Sequence, residues 1–508
     1  MARNASRTMD MVNGPVWKNV WIYAVPLMLT NLLQMCFNAA DTIIVGRFAG
    51  QQALAAVGAT GSLCFFLISV FNGLAVGANV LIARYLGAGD HEKIEKAVHT
   101  SLTMAAVSGL FLTVLGFFAS RPMLRLMSTP SDIIEQSELY MRIYFVGTFF
   151  GLIYNFGASV LRSKGDTKRP LYFLVASGVT NVALNTLFVV VFHWGVAGVA
   201  IATVIAQALS AFLVCFVLMR ETDSTRLELS KLGIDPAMAW DVIKVGVPAG
   251  IQGMVFSLSN VVVQSSINSF GSSVIVAGNS AGANVESFVY IGMGAFTQAT
   301  ITFTSQNVGA RNFSRIREIM YKTMALTVGS SILMGVLAWL GGEFLLGFYT
   351  TDPQVVEVGM IRMTWVGLLL VLNGILDVYV CSMRGMGYST LPTALMIVTS
   401  AVYVWRGCSS CSPTSVRWRP FIFASPSAGR SLRSSRVFSG STATAKPWHG
   451  RPCSHNAGTP LLGCRAMPDY ESAMLYLRLA QGRRREVKMK EKRTPCRERS
   501  NKTVYCFR

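Results

Sequence analysis

The amino-acid sequence predicts an all-α polytopic membrane protein built as two related six-helix bundles, the second incomplete. Of 508 residues, 52% are hydrophobic and 14% charged, too apolar for a soluble chain of this length. Apolar stretches close to the ~20 residues needed to cross a bilayer recur along it. The chain also matches itself at a constant offset, which makes the second bundle a copy of the first.

Taken in order, the apolar segments run approximately over 19–45, 53–83, 97–119, 137–160, 170–192, 196–219, 242–267, 274–306, 319–347 and 357–382, and an eleventh starts at Leu391. The stretches 1–18, 84–99, 161–169, 220–244, 307–322 and 383–390 together carry nineteen Lys/Arg, against three (Arg47, Arg121, Arg125) in the loops between them. By the positive-inside rule the N-terminus is cytoplasmic and each segment crosses once. The resulting division is an N-terminus (1–18), an N-lobe of six helices (19–219), a linker (220–241), a C-lobe of four helices and a truncated fifth (242–405), and a tail (406–508). No cleavable signal peptide is read, because the apolar run after Trp17 is too long for one.

When the chain is slid along itself without a gap until Pro26 meets Pro248, Asn38 meets Asn260, Gly87-Ala88 meet Gly309-Ala310, Arg162 meets Arg384, Gly165 meets Gly387 and Pro170 meets Pro392. Most of these are turn and helix-start residues, where backbone geometry selects the side chain, so a shared offset signals duplication. Six helices per repeat is an even number, so both copies enter from one side and are expected to be related by an axis along the membrane normal. Asp90 and Asn312 are expected to N-cap the helices that follow them. Thr129-Pro130 and Asp352-Pro353 read as a cap followed by a first-turn proline.

The net charge of +20 is concentrated in the tail, where residues 406–508 hold 21 Lys/Arg and 5 Asp/Glu. A frameshift or a fused segment would produce such a change of composition, and the tail is expected to be disordered and foreign to the fold. Leu391 to Trp405 would span only about 22 Å as a helix, short of the ~30 Å hydrocarbon core. Cys408 and Cys411 with His449 and His455 resemble a zinc spacing without its flanking structure, so no structural metal site is assigned. The basic run near residues 482–493 reads as a solvated charge run, and no nucleic-acid partner is expected.

Asn31, Gln34, Asn38 and Asp41 lie at i, i+3, i+7 and i+10 of the first segment, one polar stripe on an apolar helix. An intramembrane acid is costly against lipid, so the stripe must face a wet cavity or other polar groups. Asp41 can change protonation or, with Asn38, offer oxygen ligands to sodium; the alternative is an acid at the outer interface. Ser177, Asn181 and Asn185 at i, i+4 and i+8 of the fifth helix can face Asp41, or else serve helix–helix hydrogen bonding. Asn72 and Asn79 in the second helix, and Thr203, Gln207 and Ser210 in the sixth, are read as cleft-wall or packing residues. In the second half Glu286 lies mid-segment with Asn279 on its face. Asp377 follows Asn373 by one turn, with Arg384 placed to pair with it.

The paired motifs Arg162-Ser-Lys-Gly165-Asp166-Thr167-Lys-Arg-Pro170 and Arg384-Gly-Met-Gly387-Tyr-Ser-Thr-Leu-Pro392, with Leu86-Gly87-Ala88-Gly89, resemble those of the multidrug and toxic compound extrusion (MATE) family. The likeness covers roughly residues 15 to 405. It implies two six-helix lobes around a central cleft, and export of organic, often cationic, compounds in exchange for Na+ or H+. It also points to Asp41 as ion-linked, while Asn185 stands where many members carry an aspartate; by position in their segments, Asp41 and Glu286 are the two carboxylates that could hold Na+. No P-loop is found. The expectation is therefore a monomeric, non-enzymatic antiporter of the inner or plasma membrane, whose partners are membrane lipid and small organic compounds and which needs no cofactor beyond the coupling ion. A lipid-linked oligosaccharide flippase and a non-transporting remnant are the other readings. Because the second lobe is incomplete, the chain as written is expected to export little.

Overall fold

The computed structural model describes residues 9–127, 129–268, 273–347 and 352–398. Among these residues every regular element is a helix. The first bundle comprises α1 (Val16–Ile44), α2 (Gln51–Ala88), α3 (His91–Leu126), α4 (Ile134–Ser163), α5 (Lys168–Asn185) and α6 (Gly195–Met219). The second comprises α7 (Pro236–Asn268), α8 (Ser273–Gly309), α9 (Phe313–Leu340), the short α10 (Gly342–Gly347) and α11 (Pro353–Gly385). Residues 390–398 begin a further helix. Residues 399–405, and the tail with its cysteines and histidines, lie outside the described residues.

Among the described residues, eight helices are long and apolar enough to cross a bilayer. Phe118 and Leu126 are 73% and 85% exposed, which suits a lipid-facing surface and not a watery one. The protein is a multi-pass membrane protein.

The duplication is visible in the backbone. Gly89 and Arg311, counterparts in the two repeats, both adopt positive φ, as do Gly165 and Gly387. Around the second pair the turn bonds repeat: Gly165 N to Arg162 O (2.9 Å) matches Gly387 N to Arg384 O (2.8 Å), and Asp166 N to Leu161 O (3.1 Å) matches Tyr388 N to Met383 O (2.9 Å). Not every detail was duplicated. Asp90 caps α3 by accepting from Lys93 N, whereas Asn312 makes no such bond and its Oδ1 meets Ser314 Oγ. Asp352 caps α11, with Pro353 in the first turn. Pro130 instead sits in a separate turn, its carbonyl accepting from Ile133 and Ile134 N, and α4 starts only at Ile134.

The described parts of the basic loops gather at one end of the bundle, the basic end, where Met9 N meets Lys164 O, Lys231 pairs with Glu95 and Gly309 and Gly387 pack on Arg84, and there the two lobes touch. α2 packs along α7 and crosses α8, and α1 packs on α8. The α2/α7 crossing is lined by Gly73, Gly77, Gly246 and Gly250, so backbone meets backbone; a Cβ on Gly73 would stand 2.3 Å from Gly250 N. Small residues permit this approach without any polar cost in the membrane. A Cβ on Gly87 would lie 1.9 Å from Gln306 O, and one on Gly309 would lie 1.8 Å from Arg84 O. In the repeat alignment Gly309 is the counterpart of Gly87, and Gln306 is the counterpart of Arg84. The contact is therefore reciprocal, which is the signature of a two-fold axis. Gly87→Ala should destabilise this closed seam by ~2 kcal/mol or more, while Gly58→Ala, which would meet nothing within 4 Å, should be neutral or slightly stabilising. Thermal unfolding in detergent compares the two.

The inter-lobe linker is fastened to the first lobe through Lys164, whose side chain is 3% exposed. Its Nζ reaches Glu221 (2.8 Å), Asp223 (2.5 Å) and Thr225 (3.0 Å), and Arg169 pairs with Asp166 and Glu221. Burial alone would raise the Glu221 and Asp223 carboxyls, but hydrogen bonds from Lys164 and its neighbours outweigh it, and both titrate below their ordinary values. Depressed carboxyls contribute stability above their unfolded pKa values, roughly 4, and lose it as pH falls through the folded ones. Proteolysis near residues 220–228 should stay slow above about pH 5 and accelerate below about pH 4; a flat profile would contradict this fastening.

Candidate functional site

Near the end opposite the basic loops, both α1 and α5 give way to a π-helical turn, Val45–Ala49 and Thr186–Val191. Such turns re-aim the residues around them and recur at functional sites. Here they follow Asp41 and Asn185 and carry Val45 and Val189, which pack in one buried apolar cluster with Ala53, Val196 and Val199. The turns thus bring the polar faces of α1 and α5 together under an apolar cover.

Asn185, fully buried, donates from Nδ2 to Asp41 Oδ1 at 2.5 Å. The best-satisfied orientation of the Asn181 amide turns its nitrogen onto the same carboxylate, 2.7 Å from Oδ1, with its other end 3.4 Å from Thr203 Oγ1. Asp41, Asn181 and Thr203, with Gln34, Asn38, Asn155, Ser177 and Gln207, line an open pocket of about 190 Å³ in the first lobe, and Asn185 lies behind its wall. Gln207 Oε1 lies where Cβ atoms on Gly147 and Gly151 would crowd it. Two buried acceptors in this cluster, Asn185 Oδ1 and Gln207 Oε1, have no hydrogen-bond partner. An amide can present nitrogen or oxygen by a half-turn, so the cluster can satisfy a lone carboxylate or complete an oxygen shell for a hard cation.

The other residues singled out in the sequence are divided between three places. Asn31, exposed, points toward Gly294 of α8 and so faces the second lobe. Asn72 accepts from Asn155 Nδ2 at 3.0 Å and supports the cavity from behind. Of the two readings of Asn79, cleft wall or packing, the structure shows packing: Asn79 is fully buried in the seam between lobes, where its amide bridges Ser159 O (3.1 Å) and Thr302 Oγ1 (3.0 Å), which in turn meets Tyr23 OH (2.9 Å).

In the second lobe Glu286 does not stand alone. Arg362, a cation inside the apolar run of α11, donates to Glu286 Oε2 at 2.7 Å and to Asn279 Oδ1 at 2.5 Å, and Asn279 donates to Gln264 Oε1 at 3.2 Å. Asp377 accepts from Asn373 Nδ2 at 3.4 Å. Arg384, read as its ion-pair partner, turns away to Gln252 Oε1 at 2.5 Å. Composition could have flagged Arg362, because it is a basic residue well inside an apolar segment. Its partner Glu286 belongs to another helix, α8, and carries no local signal of the pairing.

Comparison with known proteins gives the same picture. A family model described as MatE matches residues 26–187 and 248–404, and the two matches start at the paired prolines Pro26 and Pro248. The chain is 30% identical over 393 residues to the "Probable multidrug resistance protein YoeA" of Bacillus subtilis, covering 75% of this chain and 84% of that protein. It is 28% identical to the "Probable multidrug resistance protein YpnP" of the same organism, covering 72% and 83%. A solved "Outward-facing conformation of a multidrug resistance MATE family transporter" shares the fold, with a TM-score of 0.73 at 21% identity over 78% of this chain and 89% of that one. Fold and site therefore define a multi-pass membrane transporter with two pseudo-symmetric lobes. The chain belongs to the MatE family.

Proposed function

We propose that this chain is a secondary antiporter that exports small organic compounds, cations among them, in exchange for an inorganic cation bound at Asp41. The observation that carries the reading is the group Asp41, Asn181 and Thr203 in the wall of an open pocket, with Asn185 hydrogen-bonded to the same carboxylate from behind. A membrane-embedded acid with adjustable amides and no fixed cationic partner among the described residues is suited to exchanging ligands. Coupling follows if ion and compound compete for the same carboxylate while the lobes alternate which end is sealed. The basic end is then cytoplasmic, the membrane is the plasma membrane, and the chain works as a monomer in lipid.

Sodium is favoured over the proton because Asn38, Asn181 and Thr203, each with a side-chain oxygen, line the same pocket as Asp41, and oxygen ligands suit a hard cation. The flippase reading is disfavoured by the cavity lining, whose charged residue is an acid and not a cation, the wrong sign for a phosphate. The test is uptake of ethidium, a fluorescent organic cation, by proteoliposomes holding the full chain under an imposed Na+ or pH gradient. Slow but gradient-dependent uptake is expected, larger with sodium; no uptake under either gradient would leave the remnant reading standing.

A further inference from the structure

Residues 9–14, just ahead of α1, span the seam between lobes at the basic end. Met9 N donates to Lys164 O at 3.3 Å, on the α4–α5 turn of the first lobe. Met11 O accepts from Asn307 Nδ2 at 3.0 Å, on α8 of the second lobe. Arg315, at the start of α9, donates to Gly14 O and to Asn13 O. One short stretch of backbone is thus anchored to both lobes.

The segment is shaped for that course. Asp10 Oδ1 accepts from Val12 N (3.1 Å) and Asn13 N (2.8 Å), an Asx-type turn, while Asp10 O accepts from Asn19 Nδ2 at 2.7 Å. A Cβ on Gly14 would collide with Asp10 O at 2.4 Å, so the turn needs glycine there. Met11 is 1% exposed and packs with Val20 and Tyr23 of α1, Phe303 of α8 and Ile319 of α9. Met9 and Met11 also cover Gly165, whose left-handed turn leaves no room for a side chain beneath them. Below the segment Gln306 Nε2 donates to Ser163 O at 2.7 Å, crossing the same seam.

The duplication shows that this crossing is one-sided. The counterpart of Gly165 is Gly387, and against it lies the Arg84 guanidinium, not a covering segment. The counterparts of residues 9–14 are 231–236, the end of the linker. These attach to α3 of the first lobe instead, through Lys231 to Glu95 (2.8 Å) and Asp235 N to Thr100 Oγ1 (3.1 Å).

We propose that residues 9–14 are a strap that holds the basic end of the two lobes shut, and that opening this end requires the strap to leave the seam. The inference rests on the alternating-access reading above. Its contacts are available only while Lys164, Asn307 and Arg315 stay together, so the strap adds its binding to the closed state and none to the open one.

Hydrogen–deuterium exchange of the full chain in detergent, without substrate or gradient, tests this separately from transport. In Met11→Asp, and in a chain lacking residues 2–13, exchange in the seam peptides 78–88 and 298–309 should rise about tenfold, within the range typical of coupled conformational equilibria. Exchange in 134–150, away from the seam, should not change. Should either variant exchange globally and so prove unfolded, Arg315→Gln, which leaves strap and core intact, carries the test with a rise of about threefold. Unchanged seam exchange in the folded variants would overturn the strap, even if ion-driven transport were demonstrated.

Discussion

Asp41→Asn is expected to weaken binding of the coupling ion on the order of 100-fold, the loss of one charge-assisted ligand worth ~3 kcal/mol. The substitution conserves shape and leaves an amide among amides, so Asn181 and Asn185 keep hydrogen-bond partners and the cavity should hold its form. Insertion into the membrane and thermal stability should therefore be close to the parent. Sodium titration of purified protein measures the first effect and detergent melting the second. A variant that binds the ion normally would place the site elsewhere, and one that melts much earlier would make Asp41 a structural residue.

Glu286 should behave in the opposite way. Its carboxylate is paired with Arg362, the two side chains being 13% and 23% exposed, so Glu286→Gln strands a largely buried cation. Breaking such a pair costs ~3–5 kcal/mol when it is fully buried, and ~2–3 kcal/mol is expected at this exposure. Adding Arg362→Met to Glu286→Gln should recover most of that loss, because the uncompensated charge is gone. Melting temperatures of the parent, both single variants and the double variant complete the cycle. Additive effects with no recovery would show that the two side chains are not coupled, and would return Glu286 to the candidates for ion binding.

How much could be read from sequence depended on how local the physical cause of each feature is. The repeat offset was legible because it sits on Gly87, Gly165 and Pro26, residues chosen by backbone conformation and not by neighbours. The stripe ending at Asp41, and the Asn181–Asn185 spacing, were legible because helical period places them on single faces. Their meeting, at 2.5 Å from Asn185 to Asp41, needed only that α1 and α5 be adjacent. What stayed hidden depends on tertiary contact. Asn79 looks like any amide on an apolar helix, and its partner Thr302 belongs to the other lobe. Arg384 has Asp377 two turns away yet bonds to Gln252 of α7. The first residues of the chain look featureless, and the anchors at Lys164, Asn307 and Arg315 emerge only when both lobes surround them.

The proposed exchange of one cation at Asp41 for an organic compound is most directly tested by measuring ion release. Purified full-length protein, loaded with sodium in weak buffer, is mixed with ethidium while free sodium and pH are followed together. Release of about one ion per chain is expected, sodium in preference to the proton, and none from Asp41→Asn. Equal release from Asp41→Asn, or binding of ethidium with no ion released from the parent, would contradict exchange at this carboxylate.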